Sequence, residues 1–236
     1  MPEFFSSIGF LQEGPFAVPR WEALFEKGMD TLWQGAATTL LVASLGLALA
    51  LVLGIVIGVM SASHWRIPRA FARGYVEFFQ NTPLLIQVFM LYNALPLLFE
   101  GLFLPVVTIG ILGVGMYHGA YIAEVVRAGI QSIGRGQLEA ALSQGFGYVG
   151  AMRYIVVPQA MRIVLPPMTN QAVSLIKNTS VIAIIAGGDL MYAGDSFAGR
   201  FGHYGPTYVM VGLIYFLMCF PLAMLARRLE ERLRAD

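Results

Sequence analysis

Long stretches without Asp, Glu, Lys or Arg dominate the pattern of this chain. A helix needs roughly 20 apolar residues to cross the hydrocarbon core of a bilayer, and four uncharged stretches reach that length. Each of them therefore predicts a transmembrane span. The four spans fall at about 32–60, between Glu77 and Glu100, between Glu100 and Glu124, and at about 206–226.

A further span is predicted at about 160–186, although Arg162 and Lys177 divide it and prolines interrupt it. The basic residues of the loops require it, because cytoplasmic loops are enriched in Lys and Arg. With five spans, all three basic clusters fall on one side of the membrane. The clusters are Arg66, Arg69 and Arg73; Arg127, Arg135, Arg153 and Arg162; and Arg227, Arg228, Arg232 and Arg234.

The predicted fold is an all-α membrane protein with about five transmembrane helices, its N-terminus outside and its C-terminus in the cytoplasm. Residues 1–30 are predicted to form an external or interfacial segment, 31–226 the transmembrane domain, and 227–236 a cytoplasmic basic tail. Within the first segment, Trp21 to Met29 has the pattern of an interfacial amphipathic lead-in. The glycine-rich stretch 186–206 is predicted as an external connection.

Composition agrees with a bilayer environment. The chain is 57% hydrophobic and 12% charged, whereas soluble domains carry about 25% charged residues. A net charge of +1 gives no field that attracts nucleic acid. Cys219 is the only cysteine, which excludes an internal disulfide. The early apolar stretch from Phe4 to Leu11 has no basic residue before it, which is not typical of a signal peptide.

A polar stripe runs along the predicted fourth span. Asn170, Ser174 and Lys177 lie at i, i+4 and i+7, with Asn178 adjacent, so one face of this membrane helix is polar. An ionisable residue inside a span is a functional-site hypothesis. We predict that the stripe lines a substrate path in which Lys177 meets a carboxylate. The alternatives are a pair with a protein carboxylate and snorkelling of the ammonium to the outer surface.

The second predicted span has polar residues on both sides of a proline. Pro83 predicts a kink, because it frees a backbone carbonyl. Glu77, Gln80, Asn81 and Gln87 are expected near one face at helical spacing. Gln87 joins the candidate substrate path on this basis. Interhelical hydrogen bonds without any ligand are the alternative for each of these residues.

Small residues and an isolated histidine mark the first and third spans. In the first span, small residues recur every four positions and allow another helix to approach closely, either from a partner subunit or from the same chain. The third span contains His118 with Tyr117 and Tyr121, which is more typical of hydrogen-bonded structure than of a ligand site. The small-residue ridge consists of Gly46, Ala50, Gly54 and Gly58.

Motifs for catalysis and metal binding are absent from the sequence. Neither lysine, Lys27 or Lys177, follows a glycine, so the Gly-Lys phosphate cradle of a P-loop is missing. The histidines are scattered and form no metal-ligand pair, and no Gly-x-Ser-x-Gly elbow occurs. We therefore expect no enzyme activity and no cofactor on this chain. Uphill transport would draw its energy from a partner or from an ion gradient.

The loop at 128–158 contains the most informative pattern. A short helix is expected at about 136–144, ended by Gly145, with Leu138, Ala141 and Leu142 on its apolar face. A short amphipathic helix between two spans is suited to a groove on a soluble partner. An ordinary interfacial helix is the alternative that spacing alone leaves open.

The residues of this loop resemble the shared motif of the permease subunits of bacterial ABC importers. That motif is Glu-Ala-Ala, three residues, Gly, nine residues and Ile-x-Leu-Pro. The chain has the same spacing, with Val157 in place of Leu. Its matching residues are Glu139, Ala140, Ala141, Gly145, Ile155 and Pro158.

Further motifs resemble the polar amino-acid branch of that family, over about residues 30–226. They are Thr82-Pro83-Leu84-Leu85-Ile86-Gln87, Gly119-Ala120-Tyr121-Ile122-Ala123-Glu124, Arg127, Gly136-Gln137, Pro158-Gln159-Ala160 and Lys177-Asn178-Thr179-Ser180. The chain departs from the branch at Gln80-Asn81, where Arg-Gly is common, and at Ser143-Gln144-Gly145, where Ala-Leu-Gly is common.

The resemblance implies a plasma-membrane importer with separate ATP-binding subunits. Two permease chains, identical or related, would form the pathway, and ATP with Mg²⁺ would bind the ATPase partners. Glu139, Ala140, Ala141 and Gly145 would form the coupling helix, and an extracytoplasmic binding protein would deliver a polar amino acid. The alternatives are a gradient-driven transporter or channel, for which no acidic relay or repeat is visible, and a non-transporting scaffold, which the polar stripe disfavours.

Overall fold

The computed structural model describes residues 14–235, including all side chains there except Leu229 and those of 232–235. The prediction for residues 1–13 lies outside the described residues. Within the described range the chain is helical and contains no strand. Its helices are α1 (Val18–Ala62), α2 (Arg66–Asn81), α3 (Leu84–Leu98), α4 (Val106–Ser132), α5 (Arg135–Ser143), α6 (Tyr148–Ile185), α7 (Leu190–Phe201) and α8 (Tyr204–Ala235).

The helix α1 is longer than the predicted first span. The expected interfacial lead-in is not a separate element, because α1 runs through it with one π turn at Leu24–Gly28. Leu24 is fully buried in a cluster with Phe197 of α7. A Cβ added to Gly28 would lie 3.0 Å from the ring of Phe197. This part of α1 is therefore held by tertiary packing against α7.

The small-residue ridge of α1 packs against α4 of the same chain. A Cβ added to Gly54 would lie 2.4 Å from Cγ2 of Ile122, and one added to Gly58 would lie 2.6 Å from Cβ of Val126. These distances are far shorter than real Cβ contacts, so only glycine permits the approach. Of the two interpretations of the ridge, the structure supports packing within one chain.

The predicted second span is not a straight helix. It is the pair α2 and α3, bent by 103° between Asn81 and Leu84. Pro83 precedes the first residue of α3 and has the extended ψ of 133° that opens the bend. The expectation that Glu77 and Gln87 share one helical face is therefore wrong, because the chain changes direction between them.

The helices α4 and α6 both differ from the bounds predicted for the third and fourth spans. The third span was expected to end at Glu124, but α4 continues to Ser132. The fourth span begins earlier than expected, since α6 starts at Tyr148 and holds Pro166 and Pro167 inside its helix. These prolines free the carbonyls of Arg162 and Ile163, because proline has no amide hydrogen to donate to the residue four positions earlier. The hydroxyl of Thr169 makes a local bond to the carbonyl of Pro166 over 2.7 Å.

The predicted external connection at 186–206 contains a helix, α7. Ala186 has a φ of 56° and Gly188 a φ of 69°, and these left-handed residues end α6 and redirect the chain. Asp189 then caps α7 by accepting a hydrogen bond from the amide of Met191 over 3.1 Å. The helices α6 and α7 are inclined by 47°. Glycine content suggested a loop, whereas Gly194 and Gly199 lie inside α7 and only Gly187, Gly188 and Gly202 lie in the turns that flank it.

The membrane spans number three to five in the described part of the chain. Val18–Ala62, Val106–Ser132 and Tyr204–Arg228 are each long and apolar enough to cross alone. The two bent pairs, α2 with α3 and α6 with α7, add one span each if each pair crosses once. The all-α class is confirmed, and about five spans remain compatible with the structure.

Candidate functional site

The polar stripe of α6 lies on a face that the described part of the chain covers incompletely. Asn170 and Lys177 are exposed, and Ser174 between them is half-buried. No carboxylate oxygen of the described residues lies within 4.0 Å of the Lys177 ammonium. Among those residues, an internal ion pair, one of the alternatives for this lysine, is not formed.

Asn178 belongs to a hydrogen-bonded bridge between α4 and α6. Its Nδ2 lies 3.0 Å from Nε2 of His118, and Nδ1 of His118 lies 3.0 Å from Oε1 of Gln171. His118 is 2% exposed, so both ring nitrogens depend on these two amides for hydrogen bonding. Gln171 was missed in the sequence, because it lies one position outside the polar stripe. The bridge orients Asn178 one residue beyond Lys177.

Polar groups of α4 continue beside the stripe toward the Ser132 end of that helix. The hydroxyls of Tyr117 and Tyr121 lie 3.0 Å apart. Arg127 forms an ion pair with Glu124, donating from Nε and one terminal nitrogen to the two carboxylate oxygens. A cavity of about 470 Å³ opens at this pair. It is lined by Ser61, Arg69, Arg73, Val76, Glu77, Gln80, Glu124, Arg127 and Gln131.

Gln87 is engaged at the bend between α2 and α3. It is 4% exposed, and its Nε2 donates to the carbonyls of Phe79 over 3.0 Å and Thr82 over 2.9 Å. These carbonyls belong to the broken end of α2, which lacks the next helical turn to satisfy them. Oε1 of Gln87 has no hydrogen-bond partner. The amide nitrogen thus caps the bend, and only the oxygen remains for another contact.

The expected helix of the 128–158 loop is present as α5, and it protrudes from the bundle. It ends in a Schellman motif at Gly145, whose φ is +88°. The amide of Gly145 donates to Leu142 over 3.0 Å, and that of Phe146 donates to Ala141 over 3.1 Å. A residue with a side chain is strained at this φ, which explains why the motif has a glycine at position 145.

The motif residues of α5 divide into two groups. Ala141 is buried and anchors the helix to its own chain, while Glu139 and Ala140 are exposed. Leu142 and Phe146 remain 44% and 40% exposed. The apolar face therefore differs from the expected one, because Ala141 points inward and Leu142 outward. An uncovered apolar surface on a protruding helix is suited to a partner.

The start of α6 supports α5. Nε2 of Gln159 donates to the Ile155 carbonyl over 2.9 Å and to Oε1 of Gln137 over 3.4 Å. Gln159 follows the motif proline Pro158, and Gln137 precedes Glu139. These contacts connect the two ends of the motif, which lie 22 residues apart in sequence.

A second buried polar cluster was not predicted. Asp189 is fully buried, and its Oδ1 has no hydrogen-bond partner. The amide of Leu190 donates to the Thr39 hydroxyl over 3.0 Å, and the buried hydroxyl of Tyr215 is also without a partner. An Asp before an apolar helical pattern is a signal for a helix N-cap, but the prediction of a loop at 186–206 concealed it.

In the described part of the chain, His, Cys, Asp and Glu residues form no group of three that could hold a metal ion.

One protein family matches most of the chain. Residues 54–235 match the family described as the binding-protein-dependent transport system inner membrane component. The chain is 40% identical over 200 residues to the probable glutamine ABC transporter permease protein GlnM of Bacillus subtilis, covering 85% of this chain and 92% of that protein. It is 33% identical to the glutamine transport system permease protein GlnP of Escherichia coli, covering 91% and 97% of the two chains.

Solved structures resemble the fold. The crystal structure of an amino acid ABC transporter with histidines matches with a TM-score of 0.81 and 31% identity, over 88% of this chain and 96% of that one. An inward-facing structure of the MetNI methionine ABC transporter matches with a TM-score of 0.69 over 85% and 97% of the two chains. Its 17% identity supports the fold alone.

Proposed function

The chain belongs to the family of binding-protein-dependent transport system inner membrane components, and from that premise we propose how it takes part in transport. It is a permease subunit of an amino-acid ABC importer and lies in the membrane as a multi-pass protein. It is a non-catalytic component, and the ATPase is a separate subunit. The comparisons do not support the gradient-driven alternative.

The protruding helix α5 couples the permease to its ATPase in this proposal. The observation that carries it is the exposure of Glu139, Ala140 and Leu142 on a helix held at both ends. The Schellman motif at Gly145 ends the helix, and the Gln159 contacts support its base. A rigid, exposed helix transmits a movement of the ATPase to α6, because α5 and α6 are separated by only a short turn.

The polar stripe of α6 is the substrate path in this proposal. Asn170 and Lys177 are exposed and Ser174 between them is half-buried, and a lysine facing lipid near the bilayer centre costs about 2.5–3.5 kcal/mol. A second permease chain, identical or related, would cover this face and enclose a polar path. Lys177 then meets the α-carboxylate of the amino acid, and Asn178 lies beside it. The Gln87 oxygen remains a candidate contact.

The substrate class and the remaining partners follow from the same premise. Several relatives are named for glutamine, so a polar amino acid such as glutamine is the proposed substrate. An extracytoplasmic binding protein would deliver it to the outer side. The ATPase subunits, with ATP and Mg²⁺, would contact α5 in the cytoplasm. This arrangement requires the N-terminus outside and the C-terminus inside, as the basic loops predict.

Co-purification with the ATPase subunit tests the coupling helix. We expect wild-type permease, co-expressed with its ATPase subunit, to retain that subunit in mild detergent. Gly145→Asp should lose it, because a side chain at a φ of +88° strains the end of α5 and a carboxylate enters the contact. Gly136→Asp is the matched control, since Gly136 lies at the other end of α5 with open space around it.

Three outcomes distinguish the possibilities. Loss of the ATPase from Gly145→Asp alone, with unchanged elution of the permease, supports docking through the end of α5. Equal retention by both variants would exclude that role for Gly145. If the wild-type chain purifies stably without any ATPase, no ATPase subunit docks on α5, and transport draws its energy from another source.

A further inference from the structure

The helix α2 has two exposed faces besides its buried one. Ala72 is fully buried, and the hydroxyl of Tyr75 donates to the Met116 carbonyl over 2.7 Å. One exposed face is apolar, with Ile67 85% and Phe71 63% exposed. The other exposed face carries arginines at i, i+3 and i+7, which are Arg66, Arg69 and Arg73.

The contacts of α2 place its Arg66 end beside the end of α1. Ala72 shares a cluster with Ile57 and Ala123, and Ile57 lies near the Ala62 end of α1. Further along α2, the hydroxyl of Tyr75 reaches the Met116 carbonyl and Nε2 of Gln80 the Ala120 carbonyl, both within α4. The arginines before Tyr75 therefore lie at the level where α1 ends.

The position of α2 is that of a membrane interface. The charge-free run of α1 ends at Arg66, the first residue of α2. Trp65, directly before it, is 64% exposed, and tryptophan is enriched at the level of lipid headgroups. The Arg66 end of α2, with its separate basic and apolar exposed faces, has the pattern of a segment at such an interface.

The arginines of α2 form no ion pair within the described part of the chain. None of the three lies within 4.0 Å of a carboxylate oxygen of the described residues. Arg69 donates to the carbonyl of His64 over 3.1 Å. Glu77 lies one turn beyond Arg73, so positive charge is concentrated at the Arg66 end. The three guanidinium groups and Ala70 line a groove of about 280 Å³.

We propose that this groove binds the phosphate of an anionic phospholipid, whose acyl chains lie along Ile67, Phe71 and Phe78. The contiguous apolar face favours a lipid over a soluble anion, which would leave that face uncovered. Charge selects the headgroup, because a zwitterionic lipid balances its own phosphate with an amine. Each basic residue near the surface contributes a preference of about fivefold for anionic lipid. This inference goes beyond the proposed transport function.

Fluorescence of Trp65 tests the proposal in the full chain. Trp21→Phe and Trp33→Phe leave Trp65 as the only tryptophan, and this protein is reconstituted into phosphatidylcholine bilayers. A small fraction of dibrominated phosphatidylglycerol should quench Trp65 at least about fivefold more effectively than the same fraction of dibrominated phosphatidylcholine. Equal quenching by the two lipids would overturn the proposal without any arginine variant.

Arginine variants then test whether the groove is the source of the preference for phosphatidylglycerol. Each of Arg66→Gln, Arg69→Gln and Arg73→Gln should lower the preference for phosphatidylglycerol by up to about fivefold. Arg200→Gln, at the end of α7, is the matched control and should leave it unchanged. An unchanged preference in the triple variant overturns the assignment, as does displacement of the lipid by inorganic phosphate or L-glutamine.

Discussion

At the residue scale, buried polar side chains hold the bundle together at specific points. His118 connects Gln171 and Asn178 across two helices, and Gln87 satisfies carbonyls at the bend between α2 and α3. In a low-dielectric interior such bonds are strong, and leaving one partner unsatisfied is costly. These residues therefore determine helix positions, and through Asn178 they also position the candidate path.

Replacing His118 by phenylalanine removes both bonds while keeping most of the ring volume. We expect His118→Phe to lower the free energy of unfolding by about 1–3 kcal/mol, because two amides lose their partner. Transport of glutamine should fall as well, since Asn178 is no longer held beside Lys177. Thermal unfolding monitored by size-exclusion chromatography measures the first effect, and uptake into proteoliposomes the second.

The control for this variant is His64→Phe, because His64 is exposed, its ring packs against the rings of Trp65 and Tyr148, and its bond from Arg69 uses the backbone carbonyl, which the substitution keeps. Its stability and transport should remain near wild type. If His118→Phe is as stable as wild type, the bridge between α4 and α6 does not contribute to the fold.

At the element scale, the closest helix pair is α1 with α4, and its closeness depends on small residues. Gly46, Gly54 and Gly58 each face a branched side chain of α4 at distances that leave no room for a methyl group. Interfaces inside membranes rely on such van der Waals contact, because lipid provides little hydrophobic drive for association. This packing places α4, and with it His118, Glu124 and Arg127.

Adding one methyl group to this interface should separate the two helices. Gly54→Ala would bring a Cβ to 2.4 Å from Ile122, and overpacking of this kind costs about 1–3 kcal/mol. Denaturation by sodium dodecyl sulfate, followed by circular dichroism, measures the loss. Gly212→Ala on α8 is the matched control, because nothing lies within 4 Å of its added Cβ. Equal stability of both variants would contradict the close packing of α1 on α4.

At the scale of the whole molecule, the polar stripe of α6 is incompletely covered by the described part of the chain. Asn170 and Lys177 are exposed there, while Ser174 between them is half-buried. A lipid-facing lysine is costly, so a second permease chain is expected there. The lipid-facing surface of α8, by contrast, exposes apolar residues such as Leu213 and Phe216.

Photocrosslinking tests whether a second permease chain covers this face of α6. In a Cys219→Ala background the chain has no cysteine. Ser174→Cys then introduces a single thiol, which is labelled with a thiol-reactive benzophenone. We expect illumination of the complex to attach position 174 to a permease chain, identified by mass spectrometry. The same label at Leu213→Cys should attach to lipid. Attachment of position 174 to lipid alone would show that the polar stripe is not an interface.

The sequence by itself determined the features that depend on local chemistry. Uncharged runs predict spans because the hydrocarbon core excludes charge, and Gly145 ends α5 because only glycine adopts its φ without strain. The motif around Glu139 is contiguous, so it could be recognised without any tertiary contact. Even the bend at Pro83 was expected, since proline removes a hydrogen-bond donor.

Tertiary structure decided which groups meet. His118 and Gln171 are 53 residues apart, and helical periodicity gives each a face but does not identify the helix opposite. The size of the bend at Pro83 depends on packing against α4. Sequence spacing alone therefore could not show whether Glu77 and Gln87 lie on the same face. Asp189 likewise became a buried cap only when Thr39 and α7 came together. Local preferences act over a few residues, whereas these choices depend on contacts between helices far apart in the chain.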